Sequence, residues 1–199
     1  MLFSEGQHIQ HQQDNLLKVI EWIEKDVYRM EALKVAATLS LPDWCLAGGF
    51  VRNMVWDQLH KINQPTPLND IDLIYFDPDN IDPDNDVRFE NHLREICDLP
   101  WSVKNQARMH IRNDDPPYTS TCDAMSYWVE VETAIGAKLS KSGNIEIITS
   151  FGLSTLFDKN ITINQKRMKP DEFHARILSK NWLKIWPGLK VRGPTYFEN

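Results

Sequence analysis

Asp70 and Asp72 are the residues of this 199-residue chain whose type and spacing best suit chemistry, because they open the apolar run Ile71-Asp72-Leu73-Ile74-Tyr75-Phe76. In a strand, alternate side chains leave the same face, and a rise of about 3.3 Å per residue sets the two carboxylates roughly 6 to 7 Å apart along the backbone. Ile71, Leu73 and Tyr75 then point the other way, into a core. Carboxylates held this close repel each other unless a cation compensates. Mg²⁺, or Mn²⁺ in its place, takes hard oxygen ligands from one or two carboxylates and completes its shell with water and phosphate oxygens. Upstream stands Gly48-Gly49, just ahead of a helical stretch. Glycines there let backbone approach a phosphate, where free N–H groups and the helix dipole favour an anion. Arg52, one turn into that helix, is placed to reach the same phosphate. The plain alternatives are a tight turn for the glycines, a solvated strand edge for the acids and a surface ion pair for Arg52; the coincidence of glycine turn and acid pair favours a metal–triphosphate site.

These residues need a frame. From about Asp14 to Ser40 apolar residues recur at three- and four-residue steps, which predicts a helical stripe that breaks near Asp26 and ends at Leu41-Pro42-Asp43. Trp44 to Ala47 reads as a short buried strand, Phe50 to His60 as a helix, and Lys61 to Asn69 as a loop. The acidic run from Asp77 to Asp86 reads as a solvated loop. Val87 to Cys97 has helical spacing, and a strand from Ser102 to about Ile111 should follow. On that strand Lys104 and Arg108 share one face and are candidates for a phosphate-binding wall, while Asn105 takes the other face. Cys122 to Val131 reads as a helix, and Gly136 to Leu139 with Ile145 to Thr149 reads as a hairpin around Ser142-Gly143-Asn144. A last long helix is expected over Asp171 to Trp186, its tryptophans in the core.

Composition sets limits. The chain is 42% hydrophobic and 25% charged, close to globular averages, and no stretch approaches the roughly 20 apolar residues that span a bilayer. The expectation is a single domain with no membrane association and a cytoplasmic location, N-terminal helices over 1–40, a core over 41–150 and a C-terminal helical segment over 151–199. Three widely spaced cysteines offer neither a disulfide framework nor a paired metal motif. A net charge of −6 argues against a nucleic-acid duplex as the main partner, because such binding rests on neutralising many phosphates.

The string Leu46-Ala47-Gly48-Gly49-Phe50-Val51-Arg52-Asn53, with Val55-Trp56-Asp57 and then Asn69-Asp70-Ile71-Asp72-Leu73, resembles the Gly-Gly and Asp-x-Asp core of the DNA polymerase β-like nucleotidyltransferase superfamily. More closely, the chain from residue 15 onward resembles a bacterial family of nucleotidyltransferase proteins of uncharacterised function. That likeness includes Val103 to His110, Phe151-Gly152-Leu153 and Trp182 to Pro187. The resemblance implies an α/β (α+β) fold, a mixed sheet flanked by helices. It also implies metal-dependent transfer of a nucleoside monophosphate from a nucleoside triphosphate to a hydroxyl acceptor. Asp70 and Asp72 would be the catalytic metal ligands, and Gly48, Gly49, Arg52 and Asn69 would bind nucleotide. The superfamily usually has a third carboxylate on a neighbouring strand, and the strand expected to carry it holds no acid. Asn105 and Glu146 are the candidates for that position. Two alternatives stay open: a nucleotide- or partner-binding module without turnover, and a metal-dependent phosphohydrolase.

Overall fold

Asp26 divides the N-terminal stripe as the sequence predicts. A computed structural model describes residues 5–194, and in it α1 (Glu5–Lys25) stops where the Asp26 carboxylate accepts the Arg29 N–H at 3.0 Å and starts α2 (Val27–Ala37). The Asx cap satisfies one of the amides that a helix start leaves free. Next come β1 (Cys45–Ala47), α3 (Gly49–Leu59), β2 (Ile71–Tyr75), α4 (Pro83–Ile96), β3 (Trp101–Asn105), and the short helices α5 (Met109–Asn113) and α6 (Thr121–Met125). The chain continues through β4 (Ile135–Leu139), β5 (Ile145–Thr149), α7 (Ser154–Phe157), β6 (Asn160–Thr162), α8 (Pro170–Ser179), α9 (Trp182–Ile185) and β7 (Lys190–Arg192).

The sheet is mixed and five-stranded, in the order β3-β2-β1-β4-β5. β1 runs antiparallel to β2 and β4, β5 antiparallel to β4, and only β2 with β3 is parallel. Strand parity assigns the two faces. Leu46, Ile71, Leu73, Tyr75 and Val103 enter the large core, together with Val19, Ile23 and Leu33 from the first two helices and Phe50, Val55 and Trp56 from α3. Cys45, Ala47 and Ile74 point the other way, into a small cluster with Met125 and Ala134. Asp72 shares that second parity, so it stands on the thinly covered face, where the sheet leaves room for a cleft.

Four expectations need correction, the simplest being that the helix read over Cys122 to Val131 ends at Met125. The acidic run is not all solvated loop: Asp82 caps a helix that starts at Pro83, and Asp86 is buried, accepting the Tyr75 hydroxyl at 2.8 Å and the Asn105 N–H at 3.2 Å. The strand from Ser102 stops at Asn105, because the Asn105 side chain accepts the Ala107 N–H at 3.0 Å and turns the chain into a 3-10 turn over Gln106–Arg108. The parity argument for Lys104 and Arg108 therefore fails. The last helix is two, broken at Asn181, whose φ of 53° is left-handed.

The C-terminal pair of helices is tied to α3 by one carboxylate. Asp57, 5% exposed, accepts the Trp186 indole N–H at 2.8 Å, the Thr66 N–H at 2.8 Å and the Thr66 hydroxyl at 2.7 Å. Trp186 and Trp182 meet the fully buried Trp56 edge to face, with ring centroids 5.1 and 5.7 Å away. Such pairs contribute about 0.5–1.5 kcal/mol beyond area burial. Asp57→Ala leaves three donors without an acceptor, and we expect it to lower the unfolding free energy by about 3 kcal/mol, read from the urea midpoint. Asp57→Asn, which keeps one carbonyl, should lose less.

Candidate active site

Gly48 lies at φ 62° and ψ −117°, a conformation open to glycine and strained for other residues. Its N–H donates to Ile135 O at 2.7 Å, holding the turn to β4, and its carbonyl accepts the N–H groups of Val51 and Arg52. No side chain caps this helix start, which leaves the amides ahead of Val51 without a side-chain acceptor beside the positive end of the helix dipole. Opposite stand Asp70, just ahead of β2, and Asp72, within it. Gly48, Gly49, Arg52, Asn69, Asp70 and Asp72 all line one cleft of about 240 Å³. The sequence-derived core of the site is thus one place in the fold.

Electrostatics in the cleft are unbalanced by design of the sheet. Burial raises the Asp72 carboxyl above its usual range, and the nearby charge of Asp70 raises it further; a hydrogen bond from Ser102 and the cations of Lys180 and Arg52 oppose this. Ser102 is the β3 residue in register with Asp72, so a hydroxyl flanks Asp72 where a neighbouring-strand acid was expected. Arg52 is buried, and burial pushes its guanidinium down to about 10, so it remains charged at neutral pH. It lies over the rings of Trp56 and Trp182, 5.3 and 4.7 Å from their centroids, and donates to Asn53 Oδ1 at 2.9 Å. Its Nε is buried without an acceptor among the described residues.

Two cations escaped the sequence reading. Arg176 and Lys180, four residues apart on one side of α8 and its end, line the cleft with Trp128 and Thr133. Arg176 is held by Glu130, which is 1% exposed, through Nε to Oε1 at 2.7 Å and Nη2 to Oε2 at 3.2 Å. The i, i+4 basic pair was the available signal; what hid it was the continuous apolar stripe of the same helix.

The remaining sequence candidates lie elsewhere. Asn105 is fully buried, donating to the carbonyls of Asp77 and Asn80 and accepting the Asp77 N–H, so its amide serves as a local clamp. Glu146 sits on β5, separated from β2 by β1 and β4, and pairs with Lys138 across the hairpin at 3.3 Å. Lys104 donates to Val103 O at 2.8 Å, and Arg108 pairs with Asp86. None of the four lines the cleft. Of the residues that do, only Asp70 and Asp72 are acidic, and no cluster of three His, Cys, Asp or Glu side chains arranged for a metal exists among the described residues.

A family model described as nucleotidyltransferase matches residues 34–191, most of the chain. The chain belongs to that nucleotidyltransferase family. A solved NMR structure described as revealing a CCA-adding enzyme head domain is 29% identical to this nucleotidyltransferase and superposes with a TM-score of 0.77, over 89% of this chain and 96% of its own. A tRNA-processing enzyme in an apo form is 17% identical with a TM-score of 0.49, over 80% of this chain and 44% of its own. A tRNA-processing enzyme complex is 15% identical with a TM-score of 0.43, over 78% and 39%. No curated protein sequence matches significantly. The mixed sheet flanked by helices is therefore that of a nucleotidyltransferase head domain. No helix among the described residues is long and apolar enough to cross a membrane.

A pH signature follows from Asp72. Because its folded-state pKa is raised, the folded protein binds the proton more tightly than the unfolded chain, and stability falls as pH rises through that raised value. Asp72→Asn should therefore raise the melting temperature of metal-free protein at pH 7, on the order of 2 °C. The difference should disappear below about pH 3, under the ordinary aspartate pKa, where both forms are neutral at this position.

Proposed function

We propose that this nucleotidyltransferase transfers a nucleoside monophosphate from a nucleoside triphosphate to a hydroxyl acceptor, with Mg²⁺ or Mn²⁺ held by Asp70 and Asp72. The observation that carries this reading is the convergence of the Gly48 turn, the acid pair and the cations Arg52 and Lys180 on a single cleft. The donor set suits a hard divalent ion. It supplies two carboxylates, one of them destabilised as an anion by burial and by its neighbour, and a bound triphosphate would provide further oxygens. When bound, the ion neutralises charge on the transferring phosphoryl group and the leaving pyrophosphate.

The chain's own groups do the positioning. The free amides after Gly48 and the buried Arg52 Nε offer donors to phosphate oxygens, and Lys180 adds charge at the mouth. Arg52 is held by cation–π contact with the neighbouring rings of Trp56 and Trp182. An acceptor hydroxyl oxygen bonds to the α-phosphorus while the bond from that phosphorus to the bridging oxygen breaks. Pyrophosphate leaves with the electron pair, and the hydroxyl proton passes to solvent. Orientation and electrostatic neutralisation account for most of the acceleration in such transfers.

A nonhydrolysable triphosphate should bind in the presence of Mg²⁺, and calorimetry should show affinity lowered about 100-fold or more when Asp70→Asn and Asp72→Asn are combined. Unchanged affinity in that variant would remove the basis of the reading. Arg52→Met, which keeps much of the side chain's volume, should weaken binding about tenfold with metal present. The single acid pair in the cleft also favours a second reading, a nucleotide-holding protein without turnover. Pyrophosphate release on addition of an acceptor separates the two.

A further inference from the structure

A second chamber, of about 290 Å³, adjoins the first. The two share Asp72, Trp128, Thr133 and Arg176 as a common wall. Beyond that wall the second chamber is lined by Asn113, Tyr127, Arg167, Lys169 and Glu172, whereas the glycine turn and Asp70 belong to the first alone. A molecule seated there would reach Asp72, the acid common to both chambers.

The charges of the two chambers are committed differently. In the first, neither Arg52 nor Lys180 is ion-paired with a described residue, which leaves them for an anion. In the second, every lining cation already has a carboxylate. Arg167 is paired with Asp115 and also donates to Asn113 O, Lys169 Nζ lies 3.5 Å from Glu172, and Arg176 is bound by Glu130. Even Lys166, 3.8 Å over the Tyr127 ring, is engaged by Asp123 at 3.4 Å and by the Ser126 hydroxyl at 2.6 Å. A groove that tracks a nucleic-acid backbone needs uncommitted cations along its length. This chamber instead offers fixed donors and acceptors beside two aromatic rings, at the small end of the roughly 300–1,000 Å³ typical of small-molecule sites.

We propose that the second chamber is the acceptor seat and that it takes a small, uncharged, polyhydroxylated molecule. This rests on the nucleotidyl-transfer reading above and adds the acceptor's class. Ring faces of such a molecule would lie against Tyr127 or Trp128 while the paired charges bond its hydroxyls, one of which points across Asp72 into the first cleft.

The test measures pyrophosphate release by the whole chain from an equimolar mixture of the four magnesium nucleoside triphosphates. Three fractions of a cell extract are added separately: small molecules that pass both anion and cation exchangers, small molecules retained by the anion exchanger, and RNA. The neutral fraction should raise the rate about tenfold or more over water alone, with the other two near background. Tyr127→Ala should raise the half-saturating amount of that fraction about tenfold, with triphosphate affinity unchanged. Glu172→Trp, placed at a half-exposed position, should block the response by filling the chamber. Release driven only by the retained anions or by RNA overturns the assignment. So does a neutral-fraction response that both variants leave intact, or no response to any fraction while the nonhydrolysable triphosphate still binds. Loss of triphosphate binding by the unaltered protein would instead sink the transfer reading itself, and the acceptor seat with it.

Discussion

One buried carboxylate holds the working parts of this protein in register. Asp57 lies on α3, the helix that starts at the glycine turn, and its oxygens accept from Thr66 in the loop leading to Asp70 and from Trp186 after α9. Glycine turn, acid pair and C-terminal cover are thus referred to one atom group. Inside a protein an unpaired carboxylate is costly, and a fully hydrogen-bonded one fixes geometry because each donor has a single place to be. The edge-to-face packing of Trp56 with Trp182 and Trp186 sets the same interface from the apolar side.

Against that fixed frame the cleft keeps an electrostatic tension. Asp72 is half-buried beside Asp70 on the sheet face that α1 to α4 leave open, and the opposing cations stand across the space rather than in contact with it. Arg52 is desolvated beside two indoles, with its Nε donor unclaimed among the described residues. Two carboxylates facing cations across one cleft are suited to recognising a cation together with a polyanion.

Much of this was legible in the sequence, and the reasons differ by residue. Ile71, Leu73 and Tyr75 alternate with Asp72 and Ile74, so strand parity alone put the acid on the face away from the large core. Gly48 was legible because a positive φ before a helix calls for glycine. Asn105 was misread because its side chain ends the strand, an act of local hydrogen bonding that periodicity does not encode. Glu146 fitted an acid-between-apolars pattern, yet pairing order, which depends on contacts far apart in the chain, puts two strands between it and β2. Arg176 and Lys180 were missed for the same cause: their nearness to Asp72 comes from the docking of α8, and nothing local to residues 170–180 announces where that helix will lie.

The enclosure of Arg52 carries one more consequence, concerning the order in which a ribosome delivers the parts. Trp56 is made within a few residues of the arginine, but Trp182 arrives only after most of the chain has been synthesised. A nascent polypeptide halted near residue 150 would already contain both glycines and both aspartates, while its guanidinium would still be wet and unconfined. The second of the two ring faces beside Arg52 is therefore added only once the C-terminal helices have been made.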